Sequence, residues 1–273
     1  MASSPNTLRG ALLSKRASSM SRIVILIFAV IALVYLGLCV FLFLSQRSLL
    51  YFPRARSLAN KAPTISFPVD GAELLITVRA RSGPKALIYF GGNGEDVSYG
   101  LPALTTAFPE RALYLMNYRG YCGSSGKPSE AAIVADALAF FDKAHAEHSD
   151  IILMGRSLGS GVAIQLAAQR PASHLVLVTP YNSIQELAAR RYPFFPVRWL
   201  LLDKFESWKY APRISTPTLV IAAESDYTVP GWSTALLLTH FQSGIATLRT
   251  IPGTGHNNLS ENPDYIELLK NLR

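Results

Sequence analysis

The sequence predicts an α/β fold: a mostly parallel sheet flanked by helices, with a short cap insertion, behind an N-terminal transmembrane helix. Three observations carry this reading. Short apolar runs alternate with helix-forming segments from residue 72 to the C-terminus, the order that builds a parallel sheet covered on both faces. One of these runs, 151–154, leads through Gly155-Arg156-Ser157-Leu158-Gly159 into a helix-forming stretch. Residues 23–44 hold no charged side chain.

The chain has 273 residues, 49% of them hydrophobic, enough for one large domain and an appendage. As a helix, the run 23–44 is about 33 Å long, the thickness of a bilayer core. A core helix of a soluble domain would show a polar face, and this run shows none. A cleavable signal peptide has an apolar region of about 7–15 residues that ends in small residues. No such site follows here, and in Leu36-Gly37-Leu38-Cys39 the residue before the cysteine is bulky. The run reads as a retained signal anchor.

The formal net charge is +8, but its distribution is uneven. Residues 1–61 carry eight basic side chains (Arg9, Lys15, Arg16, Arg22, Arg47, Arg54, Arg56 and Lys61) and no acid. Residues 62–273 hold 18 basic and 18 acidic ones. The excess therefore flanks the apolar run, and the remainder has no footprint for nucleic acid. Arg9, Lys15, Arg16 and Arg22 favour a cytoplasmic N-terminus and a globular domain on the outer, periplasmic or lumenal side. Arg47, Arg54 and Arg56 reduce that bias and suit lipid headgroups. The expected divisions are a basic tail over 1–22, the span over 23–44, a juxtamembrane linker over 45–64 and the globular domain over 65–273.

Within that domain, 72–78 and 86–90 read as strands, the second running into Gly91-Gly92-Asn93-Gly94. Residues 112–116 form another strand, followed by a loop over 117–126. Over 129–148, Ile133, Val134, Ala137, Leu138 and Phe141 recur at helical spacing. The strand 151–154, the pentapeptide and its helix follow, the helix stopped at Arg170-Pro171. Residues 175–178, 217–223 and 247–251 read as strands and 265–272 as a closing helix. The stretch 184–210 fits neither period. Its Tyr192, Phe194, Phe195, Trp199 and Trp208, broken by Pro193 and Pro196, suit a cap of aromatic residues.

A strand that turns sharply into a helix exposes the residue at the turn beside a helix N-terminus, and demands small residues two positions either side. Ser157 occupies that turn. A serine hydroxyl is a weak nucleophile until a base takes its proton and an acid holds that base in one tautomer. In a parallel sheet such groups gather at the carboxyl ends of strands. Asp226 follows the strand 217–223, and His256 follows 247–251 in a Gly-rich loop. Glu224 is the second candidate acid, and Asp203 lies in the cap region. His145, His148, His174 and His240 sit at element ends, where structural roles suffice. The two oxyanion donors expected are the backbone N–H groups of Leu158 and Asn93, with Gly92 as second choice. Cys39 and Cys122 imply neither a disulfide nor a zinc site, and no metal or organic cofactor is called for.

The chain resembles the α/β-hydrolase superfamily, most closely its membrane-anchored abhydrolase-domain or serine aminopeptidase-like branch. The resemblance rests on Phe90-Gly91-Gly92-Asn93-Gly94, Tyr118-Arg119-Gly120-Tyr121 with Gly123 and Ser124, the pentapeptide, Asp226 with Val229-Pro230, and Gly253 with Gly255-His256. It covers residues 65–273. Gly91 replaces a histidine common in relatives, and Cys122 stands where relatives usually have glycine. The resemblance implies an α/β-hydrolase fold and a Ser157–Asp226–His256 triad, and it leaves the substrate open; the membrane anchor and the aromatic cap suit a serine hydrolase acting on a small-molecule or lipid-like ester or thioester. A serine peptidase, with Glu186, Asp203 or Glu206 holding a substrate amine, and a non-catalytic tethered binding module are the alternatives.

Overall fold

A computed structural model describes residues 5–57 and 61–272, with side chains of the first helix from residue 19 onward. The chain divides into two compact units, Met1–Gln46 and Arg47–Arg273. The described residues of the first unit, from Pro5 onward, are helical. They belong to α1 (Pro5–Leu50), whose last turn lies in the second unit. Within α1, Ser19–Leu50 is long and apolar enough to cross a membrane, with a mean hydropathy of 3.2 over its most apolar window. Of the expected basic tail, residues 1–4 and the side chains of Arg9, Lys15 and Arg16 lie outside the described residues.

The second unit is built on an eight-stranded sheet. Its strands are β1 (Thr64–Val69), β2 (Ala72–Arg79), β3 (Lys85–Phe90), β4 (Ala112–Met116), β5 (Asp150–Arg156), β6 (His174–Val178), β7 (Thr218–Ala223) and β8 (Ala246–Ile251). They lie in the order β1-β2-β4-β3-β5-β6-β7-β8. The β1–β2 and β2–β4 pairs are antiparallel and all others parallel. β1 was not legible as a strand because it is half-exposed and contains Pro68, a residue that edge strands tolerate and central strands do not.

Helices cover both faces of this sheet: α2 (Leu101–Ala107), α3 (Glu130–Glu147), α4 (Leu158–Ala167), α7 (Gly231–Leu238) and α8 (Pro263–Lys270). β3 shows why its sequence is continuously apolar. Ala86, Ile88 and Phe90 enter one core with Phe140, Phe141 and Val162, while Leu87 and Tyr89 enter the other with Leu104, Phe108 and Leu269. A strand buried on both faces needs no polar alternation. α3 starts where Ser129 accepts the N–H of Ala132, an N-cap that satisfies one orphan donor of the first turn.

The region 184–210 resolves into two short helices, α5 (Ile184–Arg191) and α6 (Val197–Leu200), and one single turn of 3-10 helix, Ser207–Lys209. Proline at 193 and 196 prevents one continuous helix. His148, expected at a helix end, is buried. Its Nδ1 bonds the Gly83 carbonyl at 2.7 Å and its Nε2 the Tyr114 hydroxyl at 2.9 Å, a satisfied structural pair.

Candidate active site

The turn between β5 and α4 carries Ser157 at φ 49° and ψ −116°. A non-glycine residue at positive φ costs free energy that the surrounding packing must hold in place. Three contacts hold it. Ser157 N–H donates to the Val178 carbonyl at 2.9 Å. A Cβ at Gly155 would stand 2.3 Å from the Gly159 carbonyl oxygen, and one at Gly159 only 2.1 Å from that of Phe90. The glycines at both ends of the pentapeptide are thus required by backbone contact, as the turn predicts.

Ser157, His256 and Asp226 come together at the carboxyl ends of β5, β8 and β7. Ser157 Oγ lies 3.0 Å from His256 Nε2, and His256 Nδ1 lies 2.7 Å from Asp226 Oδ2. The other carboxylate oxygen, Oδ1, accepts the N–H groups of Thr228 at 2.9 Å and Val229 at 2.7 Å. The carboxylate is fixed at both oxygens. With Nδ1–H directed at Asp226, Nε2 carries the lone pair that faces Ser157. The histidine and aspartate side chains are only 11% and 4% exposed, so solvent competes little for these bonds.

The other candidates lie elsewhere. Glu224 is exposed and accepts the Gly253 N–H at 2.9 Å, which shapes the loop that carries His256. Asp203 pairs with Arg47 and accepts the Glu130 N–H. His145 stacks on Phe141, and His240 leans on Trp208. His174 begins β6.

The loop 91–94 passes beside the serine, close enough that a Cβ at Gly92 would stand 3.7 Å from Ser157 Cβ. Gly92 N–H is already given to Glu95 Oε2 at 2.7 Å. Among the described residues, the N–H groups of Asn93 and Leu158 have no protein acceptor. The Asn93 side chain reaches the other way. Its Nδ2 donates to the Leu50 carbonyl at 2.6 Å, and its Oδ1 accepts from Phe52 N–H at 3.0 Å and the Tyr121 hydroxyl at 2.7 Å.

Sequence reasoning missed Glu95 and Arg156. Glu95 Oε1 accepts the Tyr89 hydroxyl at 2.7 Å. Arg156 donates from one nitrogen to Glu95 Oε2 at 3.1 Å and from the other to the His256 carbonyl at 3.1 Å. Burial alone would lower the Arg156 guanidinium, but the Glu95 carboxylate and neighbouring tyrosines raise it overall. Burial also pushes the Tyr89 and Tyr118 hydroxyls well above their ordinary value. Tyr118 therefore donates as a neutral group to the Gly91 carbonyl, at 2.7 Å. Cys122 takes the place of the expected glycine at φ 47°, the left-handed conformation that glycine adopts without strain.

Comparison with known proteins agrees with this architecture. The family described as serine aminopeptidase, S33, matches residues 91–210. An uncharacterised protein of Mycobacterium tuberculosis is 33% identical over 248 residues, covering 84% of this chain and 87% of that one. Lysophosphatidylserine lipase ABHD12 of Macaca fascicularis is 35% identical over 134 residues, 42% of this chain and 34% of the lipase. Among solved structures, an esterase of Pyrococcus furiosus superposes with a TM-score of 0.67 at 15% identity, covering 81% of this chain and 97% of that one. Est1E of Butyrivibrio proteoclasticus superposes at 0.64 and 17%, covering 76% and 96%; both share the fold. The chain belongs to the α/β-hydrolase superfamily, in its abhydrolase-domain branch. It is a hydrolase.

Proposed function

We propose that the protein is a membrane-anchored serine hydrolase that cleaves an ester or thioester through an acyl-Ser157 intermediate. The observation that carries this is the continuous relay from Asp226 through His256 to a serine held at positive φ. Ser157 Oγ attacks the acyl carbon as its proton passes to His256 Nε2. Asp226 stabilises the imidazolium, and the N–H groups of Asn93 and Leu158 receive the oxyanion. The tetrahedral adduct collapses, the bond to the leaving oxygen or sulfur breaks, and His256 returns the proton to it. Water, deprotonated by the same nitrogen, then attacks the acyl-enzyme and frees the acid. No step calls for a metal or an organic cofactor.

Lipid-like acyl substrates are the class favoured. A relative over part of the chain is a lysophosphatidylserine lipase, and an apolar helix precedes the domain. The proposed divisions are the tail 1–22, the span 23–44, the linker 45–64 and the hydrolase domain 65–273 with its cap at 184–210. The N-terminus is cytoplasmic and the hydrolase domain outside. The peptidase reading is disfavoured because each acid offered for a substrate amine is already engaged by a cation. Glu186 faces Arg190, Asp203 faces Arg47 and Glu206 faces Lys209.

A fluorophosphonate probe tests the nucleophile. Wild type is expected to label and Ser157→Ala not to. A folded wild type that stays unlabelled rules out an active relay, and labelling that survives in Ser157→Ala means that the nucleophile is elsewhere. Turnover of p-nitrophenyl esters, acyl thioesters and aminoacyl anilides then ranks the three bond types.

A further inference from the structure

The cap carries a surface that the hydrolytic relay does not use. Trp199 is 86% exposed, Phe194 84% and Tyr192 54%. Tryptophan and tyrosine, apolar bodies with a polar edge, concentrate at the headgroup level of bilayers. Arg190, Arg191 and Arg198 are interleaved with them in sequence. A cleft of about 340 Å³ opens here, with Arg190, Arg198, Trp199 and Phe195 in its walls. Over 184–210 there are five basic and three acidic residues. The three acids are those already engaged by cations. Arg191 and Arg198 form no ion pair among the described residues.

A second observation says what this face meets. Asp203 lies four residues beyond Trp199, and its partner Arg47 lies at 3.0 Å. Arg47 stands three residues past the uncharged run 23–44, about 4.5 Å along a helix. With that run in hydrocarbon, Arg47 is at headgroup depth, and Asp203 is bonded to it. Asp203, which follows the segment 192–202, is therefore held at the level where lipid phosphates lie.

We propose that Tyr192, Phe194 and Trp199, with Arg191 and Arg198, dock on the surface of a bilayer that contains anionic lipid. The rings enter the headgroup layer and the guanidinium groups bind phosphates. This inference rests on the anchoring proposed above.

The test uses the full chain. Trp208→Phe/Trp232→Phe leaves Trp199 as the one indole, since the chain has three tryptophans. The protein is reconstituted into phosphatidylcholine bilayers with roughly a third phosphatidylglycerol, with brominated phospholipid as quencher. The expected result is a blue-shifted Trp199 emission quenched by about twofold or more, in line with interfacial depth. Arg191→Glu/Arg198→Glu in the same background is expected to lose most of that quenching while still hydrolysing a soluble ester. Unquenched, solvent-like emission from bilayers that retain the chain through a carbonate wash overturns docking and leaves anchoring intact. A chain that washes out overturns both. Equal quenching in the charge-reversed variant overturns the assignment to anionic lipid.

Discussion

Arg156 joins Glu95 at 3.1 Å across 61 positions of sequence, and neither side chain is more than a fifth exposed. The pair ties together the loop beside Ser157 and the loop that carries His256, because Arg156 also donates to the His256 carbonyl. Arg156→Met removes both ties without touching a reacting atom. We expect kcat to fall roughly 10- to 100-fold with KM little changed, the scale of a small misplacement of catalytic groups. Glu95→Gln should lose less, and the double variant should fall short of the sum of the two, because the residues share one network. Steady-state kinetics on a soluble ester, read as a cycle of four proteins, checks this. Additive losses would show that the two residues act separately.

Asn93 extends the same logic towards the anchor. Its carboxamide bridges the Leu50 carbonyl and the Phe52 N–H, while its own N–H is the proposed oxyanion donor. Phe52→Pro deletes the Phe52 N–H and with it the bonds to Asn93 Oδ1 and the Tyr121 hydroxyl. We expect kcat to drop about tenfold, as for a loosened oxyanion donor. Phe52→Ala, which keeps the N–H, should retain wild-type kcat. Equal losses in both variants would assign the effect to the phenyl ring.

The elbow glycines act on folding rather than on rate. Gly159→Ala would place a methyl group 2.1 Å from the Phe90 carbonyl oxygen, a backbone atom that cannot swing aside. We expect this variant and Gly155→Ala to be strongly destabilised, by about 3 kcal/mol or more, and to be poorly recovered in folded form. Circular dichroism melts beside Ser157→Ala, which should melt like wild type, measure the difference.

Cys122 is free, buried and pushed up to about 11, mainly by burial. A thiol whose pKa is higher in the folded than in the unfolded chain favours folding most below the unfolded value. That contribution is lost as pH rises through 9.0 towards about 11. At pH near 8, iodoacetamide should therefore modify Cys122 in the unfolded but not the native protein, since the thiolate is the nucleophile. Peptide mass spectrometry on native and urea-treated samples decides it. Rapid native modification would show an accessible, ionised thiol.

The parts of this molecule that were legible in sequence are those encoded locally. Ser157 sits in a pentapeptide whose glycines answer a backbone clash, and Asp226 and His256 follow strands whose apolar runs are continuous. Arg156 carried no signal, since its partners are 61 and 100 positions away. The position of Asn93 in its loop was readable, but the destination of its side chain was not, because Leu50, Phe52 and Tyr121 reach it only in the folded chain. Position in the loop ranked Asn93 above Gly92 as a donor, but the physical reason, the Glu95 carboxylate on Gly92 N–H, has no local signal. β1 stayed hidden behind Pro68, and α5 and α6 behind the prolines that separate them.

Every residue of α4, Leu158–Ala167, is buried. The helix that starts beside Ser157 has no outward face. Regions that open at low cost are those with few buried contacts, and this helix is the opposite. Heat inactivation and the loss of global structure should therefore be a single event in this enzyme. Any adaptation to a new substrate must be written in the loops, because the helix behind Ser157 has no exposed position left to vary.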